Sequence, residues 1–274
     1  MSRINSGDVL SITETPPKIS IITAVYNGMP TVARTIQSVL DQGYSSIEYI
    51  VIDGGSTDGT LDVVKGFEND LAYWVSETDA GIADAFNKGV ARATGGLIAL
   101  LNADDWYEPG VLARVISLHE KNPDAVIHGD MRLVGVCQDL GGYIRRANPS
   151  KTWFAMTLNH PAMFVPKHVY DTVGLFDKSF RYAMDYDWVR RAEALGVEFV
   201  YVPEVFTNVS LQGVSDERWW PAYREVARVR RAHGLNPMLN SLLLGYMGVR
   251  TLFRRGLERV RLMRVIRRMR GETG

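Results

Sequence analysis

The chain has 274 residues, 46% hydrophobic and 23% charged, which is enough apolar material for one full-sized core and sets aside disordered and fibrous classes. A single cysteine, Cys137, excludes an internal disulfide framework and fits a reducing compartment. The formal net charge of zero hides an asymmetry: residues 1–222 hold 18 Lys and Arg against 28 Asp and Glu, whereas residues 223–274 hold 13 Arg against 3 Glu. An acidic body suits a bound cation, and a basic tail suits an anionic surface.

Residues 1–17 are polar, lack the apolar stretch of a secretory signal, and are expected to form a loose leader. Ile19–Val25 (ISIITAV) is a β-branched apolar run between Pro17 and Asn27-Gly28, and reads as a buried strand. Val32, Ile36, Val39 and Leu40 then recur at helical spacing over residues 31–42. A second strand, Ile47–Ile52, stops at Asp53-Gly54-Gly55. A helix over about 59–69, a strand over 72–76 and a helix over 82–93 come next, followed by the strand Leu97–Leu101 running into Asn102-Ala103-Asp104-Asp105. Strands alternating with helices predict an α/β fold, a mostly parallel sheet with helices on both faces. In such sheets ligands collect at the carboxyl ends of strands, where Asn27, Asp53, Glu77, Asp79, Asp104 and Asp105 fall. A helix to about Lys121, a strand over 125–130, mixed antiparallel structure over 131–160, a helix over 186–195 and a strand over 198–202 complete the body. From Trp220 the chain turns helical and basic.

A dinucleotide-binding oxidoreductase needs G-x-G-x-x-G after the first strand, but the turn reads Tyr26-Asn27-Gly28-Met29-Pro30, and Pro30 removes an amide donor. No Gly-rich basic phosphate loop of a nucleotidyltransferase is present either. The pair Asp104-Asp105 is open to two readings. Adjacent carboxylates repel unless a cation sits beside them, and Mg²⁺ or Mn²⁺ can share its shell with substrate phosphates. The same pair could instead be a solvated turn before the helix near Pro109.

Tyr26-Asn27-Gly28, Val51-Ile52-Asp53-Gly54-Gly55-Ser56-Thr57-Asp58-Gly59-Thr60, the run from Ser76 to Gly89, and Leu101-Asn102-Ala103-Asp104-Asp105 together resemble the successive motifs of family 2 glycosyltransferases with the GT-A fold. The resemblance spans about residues 18–215 and implies an inverting enzyme that moves a sugar from a nucleotide diphosphate carrier, with UDP the expected nucleotide. It implies that Asp53 contacts the base, Tyr26 and Asn27 line it, and Asp79, Asn87 and Lys88 flank nucleotide and sugar. Asp104 would lie toward ribose and Asp105 would hold Mn²⁺ or Mg²⁺. Asn102 departs from the pattern by standing where an Asp often begins the acidic motif. Each position also has a plainer reading: Asp53 as an Asx-turn residue, Lys88 as a solvated surface charge. Met184-Asp185-Tyr186-Asp187 is similar to the family's acidic helix-start motif, with Met184 replacing the common Glu. Asp185 aligns with the base that takes the acceptor proton, and can equally be the N-cap of the helix 186–195, with Asp187 a favourable first-turn charge.

His160, in Asn159-His160-Pro161-Ala162, resembles a segment beside the acceptor, and Asp187 is its other acceptor-side candidate. Ser210–Ser215 occupies the place of a Gly-Ser loop. The Gln-x-x-Arg-Trp motif of processive synthases is absent, so single-sugar transfer is expected. The segment Leu239–Phe253 is too short to span a bilayer, and the Arg residues beyond it interleave with aliphatics. Residues 216–274 are therefore expected to be an amphipathic tail on an anionic membrane, with a lipid-linked or saccharide acceptor at the cytoplasmic face of the cell membrane and no nucleic-acid partner. A solvated packing helix is the plainer alternative for the tail, and a non-catalytic nucleotide-sugar-binding scaffold is the alternative for the whole.

Overall fold

A computed structural model describes residues 16–135, 142–210 and 218–259. The parallel half of the sheet is built from β1 (Ile19–Val25), β2 (Ile47–Asp53), β3 (Tyr73–Ser76) and β4 (Leu97–Asn102). Each β-strand alternates its side chains between two faces. On β1, Ile19, Ile21 and Val25 face one apolar cluster, and Ile22 and Ala24 face another. The first cluster is covered by α1 (Val32–Leu40), α2 (Thr60–Gly66) and α4 (Val111–His119). The second is covered by α3 (Ile82–Arg92), α5 (Lys167–Val173) and α6 (Met184–Ala194). Helices on both faces bury the sheet, as the near-continuous apolar runs require.

The other strands are β5 (Trp106–Tyr107), β6 (Val126–Val134), β7 (Tyr143–Arg145), β8 (Met163–Pro166) and β9 (Phe199–Ser210). The order among the described residues is β3-β2-β1-β4-β8-β6-β9-β5, with β7 beside β6. β8 runs antiparallel to β4 and β6, while β6 and β9 pair in parallel over a long register. The sheet is thus mixed and mostly parallel, an α/β fold of GT-A type. β5, β8 and α5 are too short to carry a legible period, and β9 extends eight residues beyond the expected end at Val202. The helix expected over 59–69 stops at Gly66 and continues as a 3₁₀ turn, Glu68–Asp70.

Beyond the sheet lie α7 (Trp219–Ala232) and α8 (Pro237–Arg259). Val229 of α7 is fully buried in the same cluster as α3 and α6, so this helix is part of the packed body. The expected Gly-Ser loop after Ser210 and the Arg-rich stretch after Arg259 lie outside the described residues.

Candidate active site

Register places the acidic residues together. Val25 pairs with Asp53, Asp53 with Ser76, and Ala24 with Asn102, so the four parallel strands end at one level. The loops leaving those ends are stitched by short polar bonds. Asn27 has a positive φ of 50°, which Asn tolerates better than most residues, and its Oδ1 accepts the Thr57 N–H at 2.9 Å. Its own N–H donates to Ser56 Oγ at 2.8 Å. Tyr26 beside it is 66% exposed and available to stack on a ring.

Asp53 is fully buried. Its Oδ2 accepts from the Gly55 N–H at 3.0 Å, the Ser56 N–H at 2.9 Å and Ser76 Oγ at 2.6 Å, and its Oδ1 accepts from Ser56 Oγ. The Asx-turn reading therefore holds. Gly54 lets Asp79 approach, because a Cβ there would stand 2.6 Å from Asp79 Oδ2 and displace that carboxylate. Asp79 in turn accepts the Gly81 N–H at 2.8 Å ahead of α3.

Two residues expected to flank the sugar have other engagements. The Asn87 amide donates to the Phe176 carbonyl at 2.8 Å and accepts the Phe176 N–H at 2.9 Å, so it braces α3 against the 174–180 loop instead of pointing at a ligand. Lys88 is paired with Glu77 at 2.8 Å and Asp84 at 3.6 Å, and the Glu77 contact raises its pKa.

Asp104 and Asp105 stand apart from this neutral stitching. Burial raises Asp104 above the ordinary aspartate value; burial and then Asp104 hold Asp105 well above it. Asp105 is 1% exposed and accepts from the Asn102 amide at 2.9 Å. Asp105, where a metal is expected, is thus enclosed, and Asp104, only partly buried, is the more accessible of the two carboxylates. Arg34 of α1 holds the loop, donating to the Asp104 carbonyl at 3.1 Å and stacking on Trp106 at 3.6 Å. Ser210 Oγ donates to the same carbonyl at 3.0 Å, tying β9 to the acidic turn. Asn102 Oδ1 is buried with no partner among the described residues. An orphan amide oxygen beside two carboxylates of raised pKa is an all-oxygen set of the kind Mn²⁺ or Mg²⁺ takes, so these residues fit the ion. No group of three or more His, Cys, Asp or Glu able to hold a metal exists among the described residues, so remaining ligands would come from diphosphate and water.

Asp185 is the second residue of α6, whose N-cap is Ala183, so it lies inside the first turn and is not the cap. Its Oδ1 accepts the Tyr186 N–H at 2.7 Å. It lines an apolar cavity with His160, Met156, Met163, Phe176 and Trp188. Burial raises its pKa, opposed by the charges of His160 and Arg145. His160 packs against Phe86 with ring centroids 5.5 Å apart, and burial lowers its pKa. Its Nε2 is buried with no partner among the described residues. Asp187, the other acceptor-side candidate, is instead bound to Arg191 at 2.8 Å, and Arg191 donates onward to the Val173 carbonyl at 2.6 Å. Asp187 therefore fastens α6 to the end of α5.

Sequence reasoning missed Arg34, Arg145 and Glu225. Glu225, on α7, accepts the N–H groups of Arg181 at 3.1 Å, Tyr182 at 2.7 Å and Ala183 at 3.0 Å. It thus caps the loop that delivers Asp185. Nothing in the sequence separates these three from ordinary surface charges.

The family model described as glycosyl transferase family 2 matches residues 20–179. The chain belongs to that family. It is 34% identical over 210 residues to an uncharacterised glycosyltransferase of Mycobacterium tuberculosis, covering 74% of this chain and 78% of that one. It is 31% identical over 177 residues to a PGL/p-HBAD biosynthesis glycosyltransferase of Mycobacterium bovis, covering 63% and 68%. Among solved structures, S. aureus TarS 1-349 in complex with UDP-GlcNAc superposes with a TM-score of 0.59 at 18% identity, covering 84% of this glycosyltransferase and 71% of TarS. The mannosyltransferase PcManGT of Pyrobaculum calidifontis, in complex with GDP-Man and Mn²⁺, superposes at 0.60 and 19% identity, covering 86% and 74%.

Proposed function

We propose that this glycosyltransferase moves a single sugar, with inversion, from a UDP-sugar to a hydroxyl of a lipid-linked saccharide. The reading is carried by two chemistries in one fold: acidic strand ends suited to a cation-bound diphosphate, and Asp185, a carboxyl of raised pKa lining an apolar cavity. Tyr26 and the Asn27 and Asp53 loops receive the base, and Asp79 the sugar side. Asp104 and Asn102 would hold Mn²⁺ or Mg²⁺, which when bound offsets the charge of the departing diphosphate. Asp185 takes the acceptor proton as the acceptor oxygen bonds to the anomeric carbon, and the bond from that carbon to the diphosphate oxygen breaks. Attack from the face opposite the leaving group inverts the configuration. A raised pKa suits a general base because it brings the carboxylate's proton affinity nearer the working pH. The bound donors named for TarS and PcManGT support a nucleotide-sugar here, and the name of the mycobacterial relative supports a glycolipid product.

A membrane-surface acceptor is supported by α8. Met238, Leu242, Tyr246, Val249, Leu252 and Phe253 are all more than half exposed and recur at helical spacing along one face. No helix among the described residues is long and apolar enough to cross a membrane. An apolar stripe followed by an Arg-rich segment suits peripheral docking on anionic lipid at the cytoplasmic face. The decisive assay is transfer from a panel of UDP- and GDP-sugars by wild type, Asp185→Ala and Asp104→Ala. Loss in both variants is expected; equal activity in all three defeats the assignment. Flotation with anionic vesicles, with and without residues 239–274, tests the docking, and unchanged flotation removes it.

A further inference from the structure

Arg230 of α7 is 1% exposed. A guanidinium has five N–H donors and is almost never fully buried without a partner. Here Nη1 reaches the Phe154 carbonyl at 3.3 Å and the Met247 sulfur at 3.8 Å. Nε and Nη2 are buried and have no acceptor among the described residues. The ion pairs of neighbouring α6 use other arginines, Arg190 with Glu193 at 2.5 Å and Arg191 with Asp187 at 2.8 Å. The Tyr186 hydroxyl, close enough to Arg230 for their charges to interact, is likewise buried and unpartnered among the described residues.

Arg230 borders a cleft of about 350 Å³, open mouth included, lined also by Trp153, Arg190, His233, Gly234 and Leu235. Two arginines and a histidine line it and no acidic side chain does; Arg190 is paired with Glu193, whereas Arg230 has no carboxylate partner among the described residues. Buried water could satisfy single N–H groups, but it leaves the charge of Arg230 unbalanced. A tetrahedral dianion answers both needs, since the planar fork of arginine matches phosphate through two parallel bonds. We propose that this cleft binds a phosphate group, with Arg230 as the buried anchor and Arg190 and His233 completing the contact. The cleft sits where α7 turns into α8, so the group can arrive as free phosphate or on a lipid headgroup. The inference does not depend on the glycosyl-transfer reading.

The test uses the full chain in wild-type, Arg230→Met, Arg190→Gln and Asp104→Asn forms, each checked for folding by circular dichroism. Calorimetry with inorganic phosphate measures the free ion. Flotation on phosphatidylcholine vesicles doped with phosphatidic acid, against vesicles brought to equal charge with oleate, measures the headgroup. Expected is saturable phosphate uptake, or a preference for phosphatidic acid over oleate, weakened at least tenfold by Arg230→Met and by Arg190→Gln and unchanged by Asp104→Asn. Phosphate uptake alone identifies the free ion; vesicle preference alone identifies the headgroup. Absence of both in wild type overturns the proposal, as does equal binding in the arginine variants. If Arg230→Met does not fold, Arg190→Gln decides, together with phosphate-induced shifts of the His233 ring signals in wild type.

Discussion

Glu225→Ala removes the carboxylate that gathers the N–H groups of residues 181–183 one turn ahead of Asp185. A helix N-terminus leaves its first N–H groups without intrahelical partners, so an acceptor supplied by another helix orders both the entry loop and the first turn. Each hydrogen bond to a charged acceptor contributes about 1.5–3 kcal/mol when well shielded. Glu225 is only partly buried and its bonds share one carboxylate, so the combined loss is about 2–3 kcal/mol. For a chain of this size that lowers Tm by roughly 3–5 °C, read by thermal denaturation. The effect on transfer has its own signature. The loop leads into the first turn of α6, which carries Asp185, and holds none of the strand-end residues, so kcat falls while KM for the donor stays within about twofold of wild type. Glu225→Gln keeps one acceptor oxygen, and both its Tm and its kcat should lie between those of the alanine variant and wild type. A Tm within a degree of wild type, or a rise in donor KM at constant kcat, would refute the reasoning, because either would mean that Glu225 does not hold the loop.

Asp185→Asn should lower kcat by about 10²–10⁴-fold, measured by product formation, with donor binding by calorimetry unaltered. The base works deprotonated, so its raised pKa moves the acid limb of the pH–rate profile above the ordinary aspartate range, and activity falls as pH drops through it. Arg145 opposes that rise, so Arg145→Gln should push the limb to still higher pH. Asp104→Asn should reduce Mn²⁺-assisted UDP uptake by at least tenfold in calorimetry, whereas metal-free uptake changes little. Glu48 offers a stability test away from the site. Burial opposes its ionisation, but bonds from Ser20 and Thr94 outweigh this and pull its pKa from 4.5 to about 2. A depressed carboxyl contributes stability above the unfolded value that is lost as pH falls from about 4.5 toward 2. Glu48→Gln should therefore cost about 2–3 kcal/mol near neutral pH and flatten the acid side of the Tm-against-pH curve.

The parallel half of the fold was legible because β1 and β2 are β-branched runs and β4 is an apolar one, each with a clear stop, such as Asp53-Gly54-Gly55. Once those runs are paired in register, the acidic ends have to meet. The antiparallel half was less legible. β8 is four residues long and follows a 3₁₀ turn through Pro161, and β5 is only Trp106–Tyr107, so neither supports a period. Sequence order brought Asp185, Asp104 and Asp105 forward as candidates, but it could not say which of the paired carboxylates faces outward. Burial of Asp105 behind Asn102 is a tertiary fact. The same holds for Asn87 and Asp187, whose side chains bind backbone and an arginine through loops that close only in three dimensions.

Those two braces explain how donor and acceptor halves can share one geometry. Asn87 sits on α3, which follows the Asp79 loop, and it grips Phe176, whose ring lines the cavity of Asp185. Asp187 and Arg191 fix α6 to the α5 end and to the Leu175 carbonyl, one residue from the same phenylalanine. Glu225 closes the other side of the loop from α7. A displacement of α3 on donor binding must therefore reach the α6 N-terminus through Phe176 or strain two amide hydrogen bonds. Asn87→Ala breaks that link without touching either set of reacting groups. It should lower kcat several-fold while leaving Asp185's acid limb in place and UDP affinity within about twofold. A weakening of UDP binding by more than tenfold with unchanged kcat would instead make Asn87 a nucleotide ligand, as its position in the motif suggests, and would remove the link between the two halves.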